Sequence, residues 1–293
     1  MFRQVLMAAA GAASLAFAGT AWAGPADDPA NWRKVDPENM LQFMINKQEV
    51  LIELRPDMAP KHVEQVKKIT RDTNWDKLPF HRVIDDFMAQ GGEVYAIYQI
   101  YPRYPFLKAE FTWGRNPAKQ KVQWFGATPS GDKLGYLEGF LVQGQPDETA
   151  SISVPPVAKT WGLHCAGVTS MARADSPDSA DTQFFLMRQA RVGPDGLDQK
   201  YTVWGRALTG LDVIRGIKVG PEETDGRMPA ASADKLTKAM VLADIPEKKR
   251  PTVYVRRTDG PEFAATLATL KASDPFEACA LPPVEVVVER PTP

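Results

Sequence analysis

The sequence predicts a mainly antiparallel β protein, a barrel or a sandwich, on three observations. Short strand-like runs recur along the chain, only two segments show clear helical spacing, and the composition is that of an ordinary globular protein. Of 293 residues, 44% are hydrophobic, 9% aromatic and 24% charged, enough apolar material for a sizeable core in one large domain or two small ones. Lys and Arg total 35 against 36 Asp and Glu. Such near-neutrality lacks the electrostatic footprint of a general nucleic-acid binder.

Residues 1–23 read as a secretory signal peptide. Arg3 supplies a positive start, residues 5–17 are apolar but short for a bilayer, and Ala21-Trp22-Ala23 fits a cleavage site. The alternative is an uncleaved anchor. Cleavage after about Ala23 gives a secreted or periplasmic chain with no membrane association. Residues 24–37, with Pro25, Asp27, Asp28 and Pro29, read as an exposed lead-in. Apolar runs at 40–45 and 50–54, separated by Asn46-Lys47, predict a hairpin. Pro60 followed by Val63, Val66 and Ile69 predicts an amphipathic helix over 60–71.

Residues 80–84 and the run ending at Gly91-Gly92 read as two strands. Residues 167–172, 182–187 and 201–206 read as three more, and Leu211, Ile214 and Ile217 mark a short helix. Residues 238–245 alternate as a further strand. After Pro246, a strand at 253–257 and a short helix at 262–271 lead into a proline-flanked tail. The long connection between Phe111 and Gly167 holds Trp113, Trp124, Phe125 and Trp161 and shows no sustained period. Connections of that length are uncommon unless functional or internally packed.

Several catalytic layouts are missing from the sequence. The three histidines, His62, His81 and His164, have no metal-binding helical spacing, and there is neither a G-x-S-x-G elbow nor a P-loop. Cys165 and Cys279 form an even pair in a chain that reads as exported, which predicts a disulfide; two separate buried thiols are the alternative.

Two stretches are the most informative: Phe80-His81-Arg82-Val83-Ile84-Asp85-Asp86-Phe87-Met88-Ala89-Gln90-Gly91-Gly92, and Ser170-Met171-Ala172-Arg173 with Thr182-Gln183-Phe184-Phe185. They resemble the signature blocks of the cyclophilin-type peptidyl-prolyl cis–trans isomerases. Leu197-Asp198-Gln199-Lys200-Tyr201-Thr202-Val203-Trp204-Gly205-Arg206 resembles the family's third block, and residues 238–245 its closing strand. The resemblance runs in family order and implies an isomerase domain over 38–246 with an insertion at about 112–163 and a C-terminal extension at 247–293. It implies a closed eight-stranded antiparallel barrel capped by two helices, with substrate in a groove on the outer surface.

Carried over by position, the resemblance makes Arg82 the catalytic arginine. Phe87, Met88, Phe185 and Leu197 become the walls of a proline pocket. Gln90, Gln183 and the backbone at Ala172 and Arg173 hold the peptide beside Tyr201, which stands where many members carry histidine. Gly196 stands where the family frequently has an aromatic, and Arg173 replaces a frequent asparagine. No cofactor is implied. The implied partners are proline-containing unfolded or flexible polypeptides, the implied state a monomer, and the implied role the folding of other exported proteins. A proline-segment-binding or chaperone-like module with weak or no turnover is the alternative.

Physics requires these residue types. The peptide barrier of about 18–20 kcal/mol arises from amide resonance, and no covalent bond needs to break to cross it. Twisting the C–N bond returns the lone pair to the prolyl nitrogen, where a fixed cationic donor stabilises the twisted state over the planar one. Arginine stays charged and presents a planar fork. Strand alternation puts Met88 and Gln90 on one face of their strand and likewise Gln183 and Phe185 on one face of theirs, leaving Phe184 and Leu186 for the core. Duller readings compete: Arg82 as a surface ion pair, Phe87, Met88 and Phe185 as ordinary core, His81 as a structural histidine. The 112–163 segment reads either as an aromatic flap over the groove or as an insertion packed away from it.

Overall fold

The computed structural model describes residues 24–95 and 104–291, so the signal-peptide reading lies outside the described residues. The strands in chain order begin with β1 (Trp32–Lys34), β2 (Met40–Ile45), β3 (Gln48–Leu54), β4 (Leu78–Pro79), β5 (Arg82–Val83) and β6 (Met88–Gly91). The 112–163 segment adds β7 (Trp113–Arg115), β8 (Gln123–Ala127), β9 (Lys133–Leu137), β10 (Phe140–Gly144) and β11 (Ala158–Gly162). Then come β12 (Val168–Met171), β13 (Phe184–Met187), β14 (Val203–Ala207), β15 (Lys235–Val241), β16 (Thr252–Arg256) and β17 (Val286–Glu289). Among the described residues helices are few: α1 (Pro60–Arg71), α2 (Leu211–Arg215), α3 (Pro261–Thr269) and α4 (Pro275–Ala280).

Local chemistry accounts for the first elements. Asn46 and Lys47 both have positive φ, 49° and 68°, which is the two-residue turn that matches strand twist, and it sets the β2–β3 register with Ile45 opposite Gln48. In α1, Pro60 occupies the first turn, where its missing N–H costs nothing, and Val63, Val66 and Ile69 are buried. That face covers a core of Phe43, Trp75, Phe80, Phe184 and Trp204. α2 packs against β3.

The mainly β, barrel-like expectation holds, but strand number and closure differ. Nine strands form one curled antiparallel sheet in the order β4-β15-β2-β3-β14-β12-β13-β6-β5, and no ladder joins its two edges among the described residues. The expected 80–84 strand is the reason. Only Arg82–Val83 pairs with β6, while Leu78–Pro79 pairs with β15 at the opposite edge. Pro79 has no N–H to extend a ladder, and Phe80 instead donates its N–H to Asp234 O at 2.9 Å. Consecutive segments of chain therefore sit at opposite edges of the curled sheet.

The 112–163 segment is a five-stranded antiparallel sheet, order β7-β11-β10-β9-β8. Its Leu134, Phe140, Val142 and Trp161 share an apolar cluster with Met88 and Phe185 of the large sheet. The lead-in is exposed at Asp27, Pro29 and Asp36 but not throughout. Trp32 and Val35 are 5% and 4% exposed, because β1 pairs with β16 and the Arg256 guanidinium lies 4.0 Å over the Trp32 ring. The proline-flanked tail contributes β17, which completes a β1-β16-β17 sheet. Glu53, 3% exposed, reaches Arg33 of β1 at 2.7 Å and Arg206 of β14 at 3.2 Å. Burial pushes the Glu53 carboxyl up, but Arg33, Arg206 and Arg55 together hold it below its usual range. Cys165 and Cys279 are joined as a disulfide, Cα atoms 5.2 Å apart. Among the described residues no helix is long and apolar enough to cross a membrane.

Candidate active site

Three adjacent strands build the site. In the β5–β6 ladder Arg82 lies opposite Gln90, and in the β6–β13 ladder Gln90 lies opposite Phe185. Directly opposed side chains share a face, so the arginine, the glutamine and the phenylalanine line up across the sheet. The polar groups are linked in turn. Arg82 Nη1 is 3.5 Å from Gln90 Oε1, and Gln90 Nε2 donates to Gln183 Oε1 at 2.9 Å. Ala172 donates its N–H to Gln183 O at 2.8 Å, which holds the two candidate peptide-binding segments side by side.

The apolar residues converge behind this row. Met88 and Phe185 are 2% and 4% exposed, and Phe87, Ala172, Leu197 and Tyr201 pack partly buried against the same cluster. Phe184, Leu186 and Ala89 point to the other core, as alternation requires. Tyr201 meets Phe185 edge-on at 5.6 Å, and the Arg173 guanidinium lies 4.6 Å over the Tyr201 ring and 5.6 Å over that of Phe111. Arg173 is thereby committed: its Nε donates to Lys200 O, and its Nη1 to the carbonyls of Ala174 and Asp175. Phe87 lies under the guanidinium of Arg191, 5.7 Å away.

Gly196 cannot carry the family's aromatic in this loop conformation. A Cβ there would sit 2.4 Å from the carbonyl oxygens of Arg191 and Val192. The loop is held from below by Asp198, whose Oδ1 accepts from His164 N and pairs with His164 Nδ1, each at 2.9 Å, while Oδ2 accepts from Gly193 N at 2.8 Å. The His164 ring stacks on Phe185 at 6.3 Å. His81 is 12% exposed, and burial first, then the cations Arg227 and Arg82, push its pKa below the usual value, with Glu93 and Gln183 opposing.

Sequence reading missed Asp225, His164 and Phe111. Asp225 accepts from Arg82 Nη2 at 2.8 Å and Nε at 3.0 Å. The dipeptide Asp225-Gly226 is a turn signal that could have drawn notice to the loop, but nothing in it says which strand the loop meets. Among the described residues no group of three or more His, Cys, Asp or Glu is arranged to hold a metal ion. The arrangement sets a guanidinium, two amide side chains and the Ala172–Gln183 backbone link on or beside the strands that carry Met88 and Phe185.

Comparison with known proteins agrees with this geometry. Residues 40–241 match the family described as cyclophilin type peptidyl-prolyl cis-trans isomerase/CLD. A Brucella suis protein named "Probable peptidyl-prolyl cis-trans isomerase" is 34% identical over 209 residues, covering 71% of this chain and 85% of its own length. Its Brucella abortus counterpart, with the same name, is 33% identical over the same span. The crystal structure of cyclophilin AquaCyp293 from Hirschia baltica superposes with a TM-score of 0.80 at 36% identity, covering 91% of this chain and 96% of that one. A family match across most of the described sheet, with relatives alike over most of both lengths, means that the chain belongs to the cyclophilin-type peptidyl-prolyl cis–trans isomerases.

Proposed function

We propose that this isomerase turns X–Pro bonds in exported polypeptides and so speeds their folding, with Arg82 as the catalytic donor. The observation that carries the reading is the position of the Arg82 guanidinium, 18% exposed and held at the end of the Gln90–Gln183 row beside the cluster of Met88 and Phe185. In the mechanism, Phe87, Met88, Phe185 and Leu197 grip the proline ring, while Gln90, Gln183 and the Ala172–Arg173 backbone hold the flanking chain. The imide bond twists between these two anchors. As it leaves planarity the nitrogen lone pair becomes an acceptor, and an Arg82 N–H meets it. That interaction exists only in the twisted state, so it lowers the barrier without tightening ground-state binding.

A pure proline-segment binder has little need of this arginine, which separates the two readings. The test is a proline-isomerisation assay on a short peptide with wild type and Arg82→Ala. The variant is expected to fold normally and lose one or more orders of magnitude in rate, since one transition-state donor is worth roughly 2.7–4 kcal/mol. Equal rates in the two proteins would remove Arg82 from the mechanism.

A further inference from the structure

Asp225 is 63% exposed, on the loop between α2 and β15, yet its backbone is tightly specified. Asp225 and Gly226 are successive left-handed residues with φ of 55° and 74°. A Cβ on Gly226 would stand 2.5 Å from Val83 O, so only glycine allows the turn to press on β5. The turn is also bonded to the strand on both sides of Arg82. Val83 donates to Gly226 O at 2.9 Å, Gly220 to Val83 O at 3.0 Å, and Met228 to His81 O at 3.1 Å.

From this platform Asp225 meets the guanidinium along one edge. Its Oδ2 accepts from Nε at 3.0 Å and from Nη2 at 2.8 Å, and its own carbonyl oxygen accepts from Nε at 3.1 Å. Three hydrogen bonds on one edge of a planar group stop it from rotating. The nitrogen left facing Gln90 is Nη1. An ion pair this exposed adds little to stability, so its effect is orientation.

We propose that Asp225 is the positioning residue for Arg82: its carboxylate and carbonyl hold Nε and Nη2 and thereby aim Nη1 at the twisting imide. This rests on Arg82 being the donor. Asp225 touches no substrate and acts through the arginine alone, so its removal lowers kcat and leaves substrate binding nearly intact.

The test measures kcat and KM for peptide isomerisation in the full chain, with Asp225→Ala, Asp225→Asn, Arg82→Ala and the Arg82→Ala/Asp225→Ala double variant. Asp225→Ala is expected to lower kcat about tenfold with KM within about twofold and an unchanged melting temperature, and Asp225→Asn, which keeps an acceptor, to recover to within about threefold of wild type. The double variant is expected to be no slower than Arg82→Ala, because a residue that works only through its partner has nothing left to lose. Wild-type kcat in Asp225→Ala, a loss carried by KM, no recovery in Asp225→Asn, or an added loss in the double variant each overturns the proposal. A fully active Arg82→Ala protein instead overturns the donor assignment beneath it, which keeps the two failures apart.

Discussion

His81 directly precedes Arg82 and lies largely buried beside it, so its proton is linked to the stability of this corner. Burial disfavours the imidazolium, Arg227 and Arg82 disfavour it further, and the Glu93 carboxylate offsets only part of this. The folded-state pKa is therefore depressed below the unfolded value of about 6.5. Between the two values the unfolded chain binds more protons than the folded one, so stability rises with pH across that window. The contribution is complete above about pH 6.5 and is lost as pH falls toward the depressed value. Thermal melts at about pH 7.5 and about pH 5.5 should show a larger acid loss for wild type than for His81→Gln, whose side chain does not titrate. Equal losses would place the acid sensitivity elsewhere. The sequence indicated a structural role for His81, and its position between Arg82 and Glu93 gives that role a pH dependence.

β13 shows why one strand of the sheet serves both fold and site. Phe184 is fully buried among the rings of Trp75, Phe43, Phe80 and Trp204, with centroids 4.7–6.5 Å away, whereas Phe185 faces the second cluster beneath Tyr201. Phe184→Ala should cost about 3–5 kcal/mol in urea denaturation, the usual penalty for emptying an aromatic site in a close-packed core. Phe185→Leu should fold and raise KM for a prolyl peptide, as read from steady-state kinetics; an unchanged KM would remove Phe185 from the pocket. This alternation was legible because a period of two needs only neighbouring residues. The β2–β3 hairpin and α1 were legible for the same reason, each carrying its turn or its first-turn proline in its own sequence. The strands of the 112–163 segment were not, since Trp113–Arg115 becomes a strand only by pairing with Ala158–Gly162 across a long loop. The segment is a five-stranded sheet whose Trp161 and Phe140 share a cluster with Met88 and Phe185, so it is not packed away from those residues.

At the scale of the whole molecule, three stretches distant in sequence are held together. Val35 of the lead-in, Tyr136 of the inserted sheet, and Val253, Val255 and Val284 of the extension share one apolar cluster with Met40 and Leu51 of the large sheet. The Cys165–Cys279 disulfide, with a sequence separation of 114, fastens α4 to the segment just before β12. By loop-closure entropy a bridge over this length adds about 4–5 kcal/mol. The Cys165→Ser/Cys279→Ser variant should lose stability of that order in denaturant titration, and the unfolded, unreduced wild-type protein should show no free thiol. Two titratable thiols would contradict the bridge.

By itself, then, the sequence determined a mainly β protein and the order of its motif blocks, because periodicity, turn chemistry and side-chain type are properties of short stretches. Only the tertiary structure decided that Asp225 clasps Arg82, that the lead-in strand pairs with Thr252–Arg256, and that the large sheet curls without a closing ladder. These are contacts between residues far apart along the chain. Which of the many permissible partners meet depends on how every intervening element packs, and no local pattern carries that information.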